Sequence, residues 1–322
     1  MNFEARNLKS WRATKILATL GSASESEEQI TKLVQAGVNI VRMNFSHGTH
    51  EEHLMRITRV RTVEKNLSKP IGILADMQGP KYRIGIVEEG LSLIEGNLVQ
   101  FDLDDKIGNS ERLPLPHPEI FEALYPGARL LMDDGKLELI VRSISNDIFS
   151  AEVLIGGPVL SRKGVNVPDI KLNTNVLTDK DLIDLEFALD NGADWIALSF
   201  VQSVSDVLLA KARIAGRAQL MAKIEKPAAL LEIEDIINAS DAIMIARGDL
   251  GVELDAAKVP SVQKRLIYQC RKVGKPVVVA TQMLESMIAS PTPTRAEATD
   301  VAGAVFDGAD TVMLSAETAI GE

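Results

Sequence analysis

Lys223 and Glu225 stand two residues apart in the apolar stretch LMAKIEK, and Arg247, Gly248 and Asp249 close the stretch AIMIARGDL. Residues two apart in an extended strand share a face, and a buried ionisable side chain is costly unless it is paired or used. If the two stretches are neighbouring strands, Glu225 and Asp249 approach one another above Lys223. Two carboxylates with an ammonium below them suit a hard divalent cation such as Mg²⁺, or Mn²⁺ in its place, with substrate oxygens and water completing the shell. A structural lysine–glutamate ion pair is the competing explanation. In IVRMNFS, Arg42, Asn44 and Ser46 alternate with Val41, Met43 and Phe45, which puts three polar groups on one strand face. Gly248 lets a backbone approach an anion closely, and the turn after it presents amide N–H groups. Thr281 at the end of PVVVATQ has a hydroxyl able to hold a carboxylate or relay a proton. Ser315 in TVMLSAE marks a place for water or a proton path. Taken singly, either hydroxyl is more often a packed group bonded to backbone.

Lys81 and Arg83 begin a central segment that Arg162 and Lys163 end. Positive charge at both hinges describes a cationic lid, and its ligand is expected to be a phosphorylated anion. His47, His50 and His53 follow an H-x-x-H-x-x-H spacing. On a helix the third imidazole points away from the first, and no cysteine is near, so zinc geometry is not met. His47 is expected at a strand end touching ligand, and His50 and His53 at the surface. Cys270 is expected in core packing.

The elements that would position these groups alternate. Apolar strands are expected at 15–21, 40–46, 71–79, 195–200, 220–226, 242–250, 276–282 and 311–317, with amphipathic helices between them. Helices are expected to open near Ser24 with Glu27 completing a capping box, over 51–65, near Thr178 with Asp181, and at Thr294 with Glu297. From Pro80 to Arg162 the period changes. Alternating runs flank an Asp134-Gly135 hairpin turn, and Pro114, Pro116 and Pro118 argue against a helix. Eight βα units with an insertion predict an α/β fold, a (β/α)8 TIM barrel with a small all-β domain inserted after strand 3. The barrel would take residues 1–79 and 163–322, and the lid 80–162. A doubly wound sheet would show a G-x-G-x-x-G turn where this chain has GSASES. The 322 residues carry 35 Lys and Arg against 45 Asp and Glu, a net charge of -10, so nucleic acid is not an expected partner. No apolar run is long enough to span a bilayer, no secretory signal is visible, and one cysteine fits a reducing compartment, so a soluble cytoplasmic protein is expected.

TKILATLG, NIVRMNFSHGTHEEH, DMQGPKYRIG, SRKGVNVP, AKIEK, IMIARGDLGVE, ATQMLESM, PTRAEATDVAGAVFDGAD and MLSAETAIGE resemble, in order, the signatures of the pyruvate kinase family, from about residue 12 onward. The resemblance implies transfer of the phosphoryl group of phosphoenolpyruvate to ADP, giving pyruvate and ATP, the last step of glycolysis. It implies that Lys223 stabilises the moving phosphoryl group and the enolate oxygen, and that Glu225 and Asp249 bind Mg²⁺. Gly248, the Asp249 amide and Thr281 would hold the substrate carboxylate, and Arg42 would contact the phosphoryl group. Asn44, His47, Arg83 and Lys163 would face the nucleotide. Thr281, or a water near Ser315, would help protonate the enolate.

Three departures from the family pattern stand out. Lys81 replaces a glutamate found in members that hold K⁺ at positions matching Asn44, Ser46, Asp76 and the Met77 carbonyl. Its fixed ammonium resembles the members that work without K⁺, so K⁺ is not expected to be required. Ser22 stands for a proline near the nucleotide rim, and Ala316 for a glycine. The sequence stops just after strand eight, so the eighth helix and the family's C-terminal regulatory domain are expected to be absent, with the outer faces of strands eight and one uncovered. Self-association through the barrel is a further expectation. Two other functional classes stay open at this stage: a non-catalytic ligand-binding chain, and a Mg²⁺-dependent, enolate-forming lyase, which would have no need of Arg83 and Lys163.

Overall fold

The computed structural model describes residues 12–168, 170–172 and 174–321. The expected barrel segments reach residues 1–11 and 322, which lie outside the described residues. Eight parallel strands close into a barrel: β1 (Lys15–Thr19), β2 (Ile40–Asn44), β3 (Gly72–Asp76), β4 (Trp195–Leu198), β5 (Gln219–Ile224), β6 (Ala242–Ala246), β7 (Val277–Ala280) and β8 (Thr311–Leu314). Each strand pairs with its neighbours in sequence, and β8 pairs with β1 through Ala18 opposite Leu314. The interior is filled by Leu17, Leu74, Ala197, Met221, Met244, Val278 and Met313. A second apolar layer lies between the strands and the surrounding helices. Burial on both sides explains why the strands read as continuous apolar runs.

Helices follow the strands: α1 (Glu27–Ala36), α2 (His50–Leu67), α3 (Asp179–Asp190), α4 (Val204–Ile214), α5 (Ile233–Ala239), α6 (Arg247–Glu253), α7 (Val259–Lys272) and α8 (Arg295–Asp307). Thr49 and Glu52 form a capping box at α2, as do Thr178 and Asp181 at α3 and Thr294 and Glu297 at α8. Each closes the first turn reciprocally. α1 opens two residues later than expected, with Ser26 as its N-cap. Cys270 is buried in α7. Among the described residues, no helix is long and apolar enough to cross a membrane.

Between β3 and β4 stand a six-stranded sheet and a two-stranded one, around a core in which Phe101 and Phe149 stack with ring centroids 4.7 Å apart. The Asp134-Gly135 turn joins strands Arg129–Met132 and Leu137–Ser145. Val165–Asn166 also pairs into this sheet, although the second barrel segment was expected to start at 163. The segment is not purely β. Pro118–Ala123 is a short helix with proline in its first turn, where the missing N–H costs nothing.

The strands end earlier than the sequence suggested. β6 stops at Ala246, so Arg247 and Asp249 lie on α6 rather than on a strand. After β8 comes one helical turn, Ala316–Ala319, whose Ala319 carbonyl accepts from the Ala23 amide. The expected uncovering of β8 and β1 is seen in part: of their outward residues Val312 is buried, while Ile16 and Leu314 are only half-buried.

Candidate active site

The strand ladders bring the polar residues to one end of the barrel. Asn44 lies opposite Asp76, Asp76 opposite Ala197, and Lys223 opposite Met244. Arg42, Asn44, Ser46, His47, Asp76, Lys81, Arg83, Lys223, Glu225 and Asp249 line one cavity of about 200 Å³. Catalytic groups of barrels gather at this carboxyl end of the strands.

Lys223 lies at the floor of the cavity and is buried. Its Nζ stands 2.9 Å from Glu225 Oε1 and 3.1 Å from Asp76 Oδ1, and donates to Ser199 Oγ at 2.7 Å. Burial works against the ammonium, but the carboxylates of Asp76 and Glu225 outweigh it and hold its pKa above the ordinary value. Lys223 is therefore a fixed cation. Asp76 is the hub: its other oxygen accepts from Arg42 Nε at 2.6 Å. Burial alone would raise its pKa, yet Lys223 and Arg42 pull it down, so Asp76 is ionised and joins two cations.

Glu225 behaves differently. Its Oε2 accepts the Phe200 amide at 2.7 Å, and its pKa is raised, first by burial and then by the charge of Asp249, against the pull of Lys223. Two carboxylates thus repel one another across the cavity. A divalent cation would relieve that repulsion, and the donor set, two carboxylates offering only oxygen, fits Mg²⁺ rather than a softer metal. Among the described residues, no group of three or more His, Cys, Asp or Glu could hold a metal ion.

Other expected residues lie at the rim or outside the cavity. Thr281 follows β7 with φ +69°, and Gln282 after it has φ +52°. The Arg247 guanidinium holds both carbonyls, at 2.8 Å and 3.1 Å, and is itself anchored by Asp300 at 2.6 Å. The clamp sustains two left-handed non-glycine residues in succession. Thr281 Oγ1 accepts from the Gly248 amide at 2.6 Å. The Ser315 hydroxyl is buried without a hydrogen-bond partner among the described residues. The Met77 carbonyl accepts from Ser199 Oγ at 2.7 Å. Lys163 pairs with Asp133 at 2.7 Å, and Arg162 is exposed and offers its carbonyl to Arg83. Only the leading hinge therefore supplies cations to the cavity wall.

Sequence reasoning missed Ser199, Gln78 and Phe200, which also line the cavity. Ser199 obeys the rule that picked out Thr281, a hydroxyl just past a barrel strand. The three histidines do not converge. His50 Nε2 meets Asp184 at 2.7 Å and stacks on Phe187, while His53 is buried rather than at the surface. The buried positions of α2 are His53, Ile57, Val60 and Val63, a helical stripe that was available in the sequence.

Residues 11–322 match the family model "Pyruvate kinase, barrel domain". The chain is 52% identical over 316 residues to a pyruvate kinase of Agrobacterium vitis, covering 98% of this chain and 67% of that protein. It is 52% identical to a pyruvate kinase of Methylorubrum extorquens, covering 98% and 66%. A crystal structure of a pyruvate kinase from Cryptosporidium parvum superposes with a TM-score of 0.96 at 38% identity, covering 99% of this chain and 67% of that one. The chain spans about two thirds of the length of these relatives. A barrel with this mouth, matched over nearly its whole length, belongs to the pyruvate kinase family.

Proposed function

We propose that the chain transfers the phosphoryl group of phosphoenolpyruvate to ADP, giving pyruvate and ATP, with Mg²⁺ or Mn²⁺ held by Glu225 and Asp249. The observation that carries this reading is the buried Lys223 ammonium between Asp76 and Glu225, on the floor of a cavity that Arg42 and Asp249 also line. Phosphoryl transfer asks for positioning and for neutralisation of charge spreading over the moving group, with little covalent work by the protein.

In this reading Arg42 and Lys223 face the transferring phosphoryl group, and Lys223 also meets the enolate oxygen left when the phosphorus–oxygen bond breaks. A divalent ion held by Glu225 and Asp249 would supply further neutralisation of the developing negative charge. The substrate carboxylate rests against the Asp249 amide, Gly248 and the Thr281 hydroxyl, which the Gly248 bond already orients. Asn44, His47 and Arg83 face the nucleotide, with Lys163 behind them on the lid. The enolate carbon takes a proton from Thr281 or from a water beside Ser315, whose unpartnered hydroxyl has a free hydrogen-bonding capacity. Lys81, on the wall with Asn44, Ser46 and Asp76, supplies the charge that K⁺ would otherwise bring. Such an activity fits a soluble, cytoplasmic enzyme of glycolysis.

The test is pyruvate formation from phosphoenolpyruvate, ADP and Mg²⁺ by this chain, beside Lys223→Met. Wild type is expected to turn over only with both nucleotide and metal, and the variant to lose on the order of 10²–10³ in turnover with substrate binding less affected. Pyruvate and inorganic phosphate formed without ADP would mean that the phosphoryl group goes to water, and the transfer reading would fall. Equal rates for the two proteins would remove Lys223 from the chemistry.

A further inference from the structure

The wall of the cavity formed by Asn44, Ser46 and His47 continues into the loop that joins β2 to α2. Its backbone is pinned at three points. The Phe45 amide donates to the Asp76 carbonyl at 3.0 Å, the Phe45 carbonyl accepts from Lys180 Nζ at 2.7 Å, and the His47 carbonyl meets His53 Nε2 at 3.0 Å. The third pin is unusual. His53 lies in the first turn of α2, is 1% exposed, and stacks on Phe45 with centroids 4.2 Å apart. Its Nδ1 is buried without a partner among the described residues. Burial lowers its pKa, and the nearby Arg56 acts the same way, against the pull of the His47 carbonyl. A neutral ring with its proton on Nε2, donating to the His47 carbonyl, satisfies all of these conditions.

A phenylalanine would fill the same stack and leave no orphaned nitrogen, so the imidazole adds one thing only, the donor to His47. Gly48, with φ +83°, lets the chain turn there; a Cβ would come within 2.9 Å of Glu52 Oε2 and 3.5 Å of His53 Nε2. The turn and the brace are therefore packed against each other, and the His47 backbone has little room to shift while the bond stands.

We propose that His53 is a positioning residue for the nucleotide, fixing the His47 backbone so that the His47 side chain meets the nucleoside diphosphate. This rests on the reading of His47 as a nucleotide-facing group. His53 itself touches neither substrate.

The experiment is steady-state kinetics with Mg²⁺, varying ADP and phosphoenolpyruvate separately, for wild type, His53→Phe, His53→Gln and His47→Ala, each checked by thermal melt. His53→Phe keeps the stack and loses the donor. Its KM for ADP is expected to rise about tenfold, the scale of one lost buried hydrogen bond, with KM for phosphoenolpyruvate within about twofold of wild type. His53→Gln restores an N–H donor and is expected to recover most of the loss. The inference is overturned if His47→Ala weakens ADP while His53→Phe does not, if His53→Phe raises both KM values alike, or if glutamine fails to rescue a folded protein. If His47→Ala leaves KM for ADP unchanged, the nucleotide reading of His47 falls and the inference falls with it.

Discussion

Asp76 shows how one residue sets the charge of the cavity floor. It neutralises half of the Arg42–Lys223 pair, so a substrate anion meets a cationic surface that is strong but not uncompensated. Lys81 differs from Lys223 because it makes no hydrogen bond or ion pair among the described residues, although it lines the same cavity. An unpaired ammonium on that wall is free to act on a bound phosphate. The expected outcome is that pyruvate formation is the same in Na⁺ and K⁺ buffers of equal ionic strength. In Lys81→Glu the rate without K⁺ should fall about tenfold or more, and added K⁺ should restore it. A wild-type rate that collapsed without K⁺ would contradict the role given to Lys81. At this scale the sequence disclosed most of the cavity lining, because an ionisable residue inside an apolar strand has few cheap explanations. Ser199 escaped because serine is ordinary in both cores and surfaces, and only its partners distinguish the cases; the burial of His53 was legible in the stripe it shares with Ile57, Val60 and Val63.

At the scale of elements, the strands were legible in number and order but not in length. Ser46 continues the alternation of Arg42 and Asn44 beyond Asn44, the last ladder residue, so period alone cannot see where pairing stops. Arg247–Glu253 escaped for a different reason: two glycines in seven residues depress helix propensity, and tertiary anchoring of Arg247 to Asp300 and the Thr281 carbonyl supplies what propensity lacks. α8 is the opposite case, marked by its capping box. Glu297 there accepts the Thr294 amide at 2.8 Å and the Ser286 amide at 2.7 Å, tying the helix to the turn Glu285–Ile288 after β7. The Ser286 hydroxyl and these amides draw its pKa from the ordinary 4.5 down to about 2. A depressed carboxyl pKa stabilises the fold above 4.5 and loses that contribution as pH falls toward about 2. The melting temperature of Glu297→Gln should therefore lie below wild type at neutral pH, and the gap should narrow over that acidic window. A gap that did not change with pH would show that the ionised form is not what the contacts favour.

For the molecule as a whole, the inserted sheet is fastened to the barrel beside the cavity. Asn166 of the insert donates to Glu253 Oε1 at 2.7 Å, and the same oxygen pairs with the buried Lys226 at 2.5 Å. At the other hinge the Gly79 amide donates to Asp181 Oδ1 at 3.0 Å, linking the start of the insert to the first turn of α3. A chain of net charge -10 thus holds Arg42, Lys81, Arg83 and Lys223 around one small space, which Glu225 and Asp249 line as well. That pair is the feature the account depends on most. Electron paramagnetic resonance of Mn²⁺ titrated into the chain, with and without phosphoenolpyruvate, tests it directly. One bound ion per chain is expected, held more tightly with substrate present and lost in both Glu225→Gln and Asp249→Asn. Undiminished Mn²⁺ binding by folded forms of those two variants would contradict it.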